Sequence, residues 1–114
     1  MAVTTLCIIE AKDAAAAITT QYTASSANRL RTIIDRFTGN NYSGLTQTLS
    51  VYLVPFGGAA GPTNLIKSKT IAASECYTFP EIVGHTLNPG DFIATNCTLV
   101  GSINIRSSGR ETTT

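Results

Sequence analysis

A chain of 114 residues with 43% hydrophobic and only 13% charged side chains can build one core and is too apolar to be disordered throughout. Eight basic and seven acidic residues leave a net charge of +1, which argues against nucleic acid as a partner. No aliphatic run reaches the length of a signal peptide or a membrane span, so neither a secretion route nor a membrane partner is expected.

Residues 1–17 read as an N-terminal arm. Leu6, Ile8 and Ile9 could form a short strand, and Ala14–Ala17 could extend a helical turn. Strand signals then follow in order. Ile18–Thr23 is rich in Thr and Tyr, "ASSAN" is a turn, and Leu30–Thr38 is a second strand with one more apolar face. Gly39–Gly44 is a turn-rich loop. Leu45–Val54 alternates most clearly: Leu45, Leu49, Val51 and Leu53 share one face with Gln47 as the exception, and Pro55 ends the strand.

After the loop "PFGGAAGP" come strands at Leu65–Ile71 and Cys76–Phe79, the second closed by Pro80. Asn88-Pro89-Gly90-Asp91 has Pro and Gly where a type II turn requires them. Asp91–Asn96 and Leu99–Arg106 complete the series. Roughly seven or eight short strands separated by turn residues predict an all-β fold, a single small β-sandwich of jelly-roll type. The sandwich is expected over residues 18–109, with 110–114 a polar, frayed tail.

Few residues suggest chemistry. A Walker loop needs Lys followed by Ser or Thr after its last Gly, but Gly61 is followed by Pro62 and Thr63, so "PFGGAAGP" reads as a strand connection. Phe56 at its tip could dock on a partner or fold back over the sandwich end. His85 is the one histidine and lacks a nucleophile elbow or companion ligands. Glu75, Glu81 and Asp35 are scattered carboxylates, so no catalytic residue, metal site or cofactor is expected. Arg29, Arg31 and Arg36 come nearest to a basic patch, and Asp35 interrupts them. Tyr22, Tyr42, Tyr52 and Tyr77 could serve a sugar but are spread along a chain without Trp. Cys7, Cys76 and Cys97 lack CxxC spacing and read as small core hydrophobes in a reducing compartment. Asn41-Tyr42-Ser43 and Asn96-Cys97-Thr98 match the glycosylation pattern, which carries no weight without a signal peptide.

The stretch "VYLVPFGGAAGPTNLIKSKTIAASECYTFPEIVGHTLNPGDFI" resembles a pattern in small virion-associated accessory proteins of tailed bacteriophages. Its parts are "YLVP", a Gly/Ala loop, "LI-K-KTIAA-E", an aromatic strand ending in "PE", and "GHTLNPGD"; "ITTQYT" and "IIDRFTGNN" fit upstream. The resemblance covers residues 18–109. It implies a structural virion protein assembled in the bacterial host cytoplasm, most like the jelly-roll cement or decoration proteins. Such a protein staples neighbouring major capsid subunits and associates with itself as a dimer or trimer. A neck, tail or baseplate component of the same fold is one alternative, and a carbohydrate-binding module is another. Under the cement reading, Leu6, Ile8 and Ile9 on the arm, with Tyr42 and Phe56, are the expected partner-binding residues. Deleting the arm should then leave the sandwich folded.

Overall fold

The computed structural model describes residues 3–25 and 31–112. These form β1 (Val3–Asp13), β2 (Thr19–Thr23), β3 (Arg31–Asn41), β4 (Gln47–Val54), β5 (Leu65–Ile71), β6 (Cys76–Tyr77), β7 (Thr86–Leu87), β8 (Phe92–Cys97) and β9 (Ile103–Thr112). One sheet has the order β1-β9-β3-β6, with β7 also on β3; the other has β2-β8-β4-β5. Every pairing is antiparallel.

The pairings are nested. The first strand pairs the last, β2 pairs β8, β3 pairs β6 and β7, and β4 pairs β5. A chain folded as one long hairpin has this pattern. Rolling that hairpin brings β9 against β3 and β8 against β4. The result is an all-β sandwich of jelly-roll type, as expected from the strand spacing.

Alternation supplies the core. Ile34 and Phe37 of β3, Leu49 and Val51 of β4, Ile93 of β8 and Ile103 and Ile105 of β9 are fully buried between the sheets. Phe79 joins them with its ring 5.3 Å from Phe37 and 4.8 Å from Tyr77, both edge-on. Its backbone is left-handed, with φ 45°. That conformation is costly for an aromatic residue. It explains why the strand expected through Phe79 stops at Tyr77: the chain turns so that the ring drops inward.

The N-terminal segment corrects the sequence reading. It is neither an arm nor a helix but a full edge strand of the sandwich, paired with β9 from Val3↔Thr112 to Asp13↔Asn104. Ile8 and Ile9 are 7% and 1% exposed and belong to the core, and Leu6 packs against it. These residues serve the chain's own fold, so Ile8 and Ile9 are not free for a partner. A register shift between Cys7 and Ile9 lets two consecutive isoleucines be buried, which breaks the period of two.

The tail needs the same correction. β9 continues to Thr112, so residues 107–112 lie in the sheet between β1 and β3. Its inward positions there are Ser107 and Gly109, which carry no hydrophobic signal. A Cβ at Gly109 would lie 2.4 Å from the Ile33 carbonyl oxygen, so only glycine fits. The turn expected over 24–28 lies mostly outside the described residues, as do Arg29 and Leu30. Leu45, expected inside, is 66% exposed in a loop. Gln47 is buried instead, and its Oε1 accepts a bond from the Thr98 hydroxyl at 2.5 Å.

The cysteines divide. Cys97 is buried, as a core thiol should be, and its Sγ lies within donating distance of the carbonyls of Ala14 and Leu99, which share its one proton. Cys76 is exposed at the start of β6 and Cys7 is half-buried, so the core reading fails for Cys76.

Candidate functional site

Nested pairing brings loops from distant parts of the chain to one end of the sandwich. The β1–β2 loop (14–18), the β3–β4 loop (42–46) and the β8–β9 loop (98–102) meet there. Backbone bonds join them: Ala14 N to Ile103 O at 2.8 Å, Cys97 N to Ala15 O at 3.0 Å, Tyr42 N to Ser102 O at 3.1 Å.

Asn41 anchors the β3–β4 loop to the end of β5. Its side chain is fully buried, and Nδ2 donates to the carbonyls of Leu45 at 2.8 Å and Ile71 at 2.9 Å. Its Oδ1 accepts from the backbone N and the hydroxyl of Ser43. The Asn-Tyr-Ser triplet is therefore a side-chain-capped turn, with its amide committed to the interior. Tyr42 OH donates to Asp13 Oδ1 at 2.8 Å, which ties the loop to β1 and raises the phenol's pKa.

These internally bonded loops present apolar side chains outward. Ile18, Tyr42, Leu45, Leu99 and Val100 are all exposed, Val100 by 64%. None of the fifteen residues in the three loops carries a charge. Apolar surface gathered at one end, with the Asp13 carboxylate at its edge held by Tyr42, is what an interaction site requires. Of the residues the sequence singled out for partners, only Tyr42 lies here. Leu45, Leu99 and Val100 were missed. The available signal was three charge-free loops, but nothing in the linear order says that they converge.

The opposite end is built differently. Gly90 has φ 89° and Asp91 N bonds to Asn88 O at 2.9 Å, the type II turn read from the sequence. The Phe56 ring lies on Gly90, where a Cβ would come within 2.5 Å of the ring. Phe56 N donates to Asp91 Oδ1 at 3.0 Å and Asn88 N to Asp91 Oδ2 at 3.0 Å. Phe56 thus folds back and still remains 75% exposed. The Gly-rich loop around it closes by a bond from Gly58 N to Pro55 O and leads into β5, not into a helix.

The other candidates are committed internally. Tyr22 links the two sheets through Thr32 and Glu111, each at 2.8 Å, and burial pushes its pKa up to about 12. Tyr77 OH donates to Glu81, whose carboxylate also faces Lys67 at 3.7 Å. Glu81's pKa is lowered, first by a backbone hydrogen bond and then by Tyr77. His85 is exposed and its backbone bonds to Ile34 and Ile82. Among the described residues no group of three or more His, Cys, Asp or Glu could hold a metal ion, and no helix is long and apolar enough to cross a membrane.

No family model and no curated protein matches the chain. Solved structures do. A subunit from Bacillus endospore appendages, described as a novel family of disulfide-linked pili, aligns with TM-score 0.55 at 14% identity, covering 98% of this chain and 87% of that one. The infectious bursal disease virus Gx strain structure aligns with TM-score 0.42 at 14% identity, covering 96% of this chain and 31% of that one. The T13 particle of the same virus gives TM-score 0.41 at 13% identity, covering 96% and 30%. At these identities the likeness concerns fold, and the appendage subunit shares it over nearly the whole chain. The phage resemblance gains no family match.

Proposed function

We propose that this chain is a structural subunit of a bacteriophage particle, a cement or decoration protein that docks its apolar end on the major capsid protein and associates with itself as a dimer or trimer. The observation that carries the reading is the apolar cluster of Tyr42, Leu45, Leu99 and Val100, on loops fixed by backbone bonds and, at 42–46, by Asn41. Loops already fixed by internal bonds lose little entropy on docking, so their apolar area is available for affinity. A standard interface buries about 1,600 Å² in total, and many such contacts over a shell stabilise it collectively. The test is the copy number of this chain in purified particles. Roughly hundreds of copies support the cement reading, whereas about five, six or twelve would place the chain in a ring at the neck or tail.

A second reading is a self-assembling appendage subunit. It is favoured by the likeness to the pilus subunit and by the exposed Cys76 and half-buried Cys7. Covalent multimers on a non-reducing gel that disappear on reduction would support it; monomers only would dismiss it.

A further inference from the structure

The outer face of the first sheet carries a feature that the apolar end does not use. On β3 and β9, Arg36 stands opposite Ser108 and Thr38 opposite Arg106. The four side chains form a square in which the arginines occupy one diagonal and the hydroxyls the other. A concavity of about 250 Å³ opens between them.

Neither arginine is ion-paired among the described residues, although the β1–β9 register places Glu10 on the strand beside Arg106. Among the described residues, neither guanidinium makes an ion pair or a hydrogen bond, and the hydroxyls of Thr38 and Ser108 also lack a partner. The reason is local. A register shift between Ile34 and Arg36 leaves both Asp35 and Arg36 exposed. Asp35, the nearest acid in sequence, is taken by Arg110, with Nε 3.0 Å from Oδ2 and Nη2 3.0 Å from Oδ1. Like charges on neighbouring strands repel each other, and a bound anion removes that cost. Two planar guanidinium forks and two hydroxyls facing one concavity match the several acceptors of a tetrahedral oxyanion.

We propose that Arg36, Arg106, Thr38 and Ser108 form a binding site for a single phosphate or sulfate group. A free ion and an ester on a sugar present the same chemistry of recognition, and the experiment below separates them. The site lies away from the apolar end and stands or falls independently of the particle reading.

The test is a titration of the whole chain at constant ionic strength with inorganic phosphate, inorganic sulfate and a sugar monophosphate, followed by backbone amide NMR. Saturable shifts centred on Arg36, Thr38, Arg106 and Ser108, with half-saturation at about millimolar concentration, are expected. Arg36→Gln and Arg106→Gln should each weaken binding about tenfold or more, consistent with loss of a charge-assisted contact. Both positions are exposed, and the dispersion of the same spectra reports folding. Lys69→Gln is the control, because Lys69 lies on β5 in the other sheet and its removal frees no acid beside the arginines. Tighter binding of the sugar phosphate than of phosphate assigns an ester, and equal or weaker binding assigns the free ion. Absence of saturation, or a Lys69→Gln loss equal to that of Arg36→Gln, would overturn the site and leave only bulk charge.

Discussion

The two ends of the sandwich are closed by hydrogen-bonded loops, yet they present opposite surfaces. At one end buried Asn41 fixes the β3–β4 loop to the end of β5, backbone bonds tie in the two neighbouring loops, and their apolar side chains face out. At the other, the half-buried carboxylate of Asp91 holds two loops, and one large apolar ring, Phe56, lies over the glycine beside it. A neutral buried amide can fix a loop from the dry interior, whereas a carboxylate needs donors or water around it, as Asp91 has and as Asp13 has at the edge beside Tyr42. The first arrangement suits a dry interface; the second suits a turn in contact with solvent.

The harshest test of this comparison acts on both ends. β1 runs from one to the other, and deleting residues 2–12 removes Ile8 and Ile9 and bares the edge of β9. Cooperative unfolding in denaturant should be lost. A truncated chain that still unfolds cooperatively would return the segment to the status of an arm.

Removing Asn41 or Asp91 separates the ends. Asn41→Ala deletes two donors and strands the buried Ile71 carbonyl, while Leu45 O keeps the Ser43 hydroxyl. A loss of about 2–4 kcal/mol in denaturant-derived stability is expected, since a buried group left unsatisfied costs about 1–3 kcal/mol and another lost hydrogen bond about 1 kcal/mol. Asp91→Ala frees the amides of Phe56 and Asn88, which water can reach, and should cost about 1–2 kcal/mol. Equal losses would mean that burial does not distinguish the two ends.

Tyr22 gives a pH test. Its phenol titrates near 12 in the folded chain against 10.0 unfolded, chiefly because burial disfavours the charged form. A raised pKa means that its contribution is complete below pH 10 and is lost as pH rises through the folded value. Melting temperature should therefore fall more steeply over that window in the wild type than in Tyr22→Phe. Parallel profiles would show that the sheets are not pinned there.

Much of the architecture was legible in the sequence, and the exceptions have physical causes. β4 and the Asn88–Asp91 turn were readable because alternation and turn chemistry are local. β1 was hidden by a bulge that buries adjacent isoleucines, and the end of β9 by Ser107 and Gly109 at inward positions. The apolar end was legible only at Tyr42. Leu45 was read as core because it continues the period of β4, although the strand begins at Gln47. Convergence of loops separated by dozens of residues is a property of nested pairing, which no local window contains. The arginine square was hidden for the same reason: Arg36 and Arg106 become neighbours only through the β3–β9 register.

The smallest expected effect on stability accompanies the largest on assembly. Leu45→Asp with Val100→Asp alters two exposed loop side chains and should change stability by less than about 0.5 kcal/mol. The measurement that tests the central claim most directly is the copy number of this double variant in particles, against wild type, with folding checked by its melting curve. The account predicts a normally folded protein whose incorporation falls about tenfold or more, as expected when charge is forced into a dry interface. Wild-type incorporation of the folded variant would contradict it, because the apolar end would then not be what holds the chain in place.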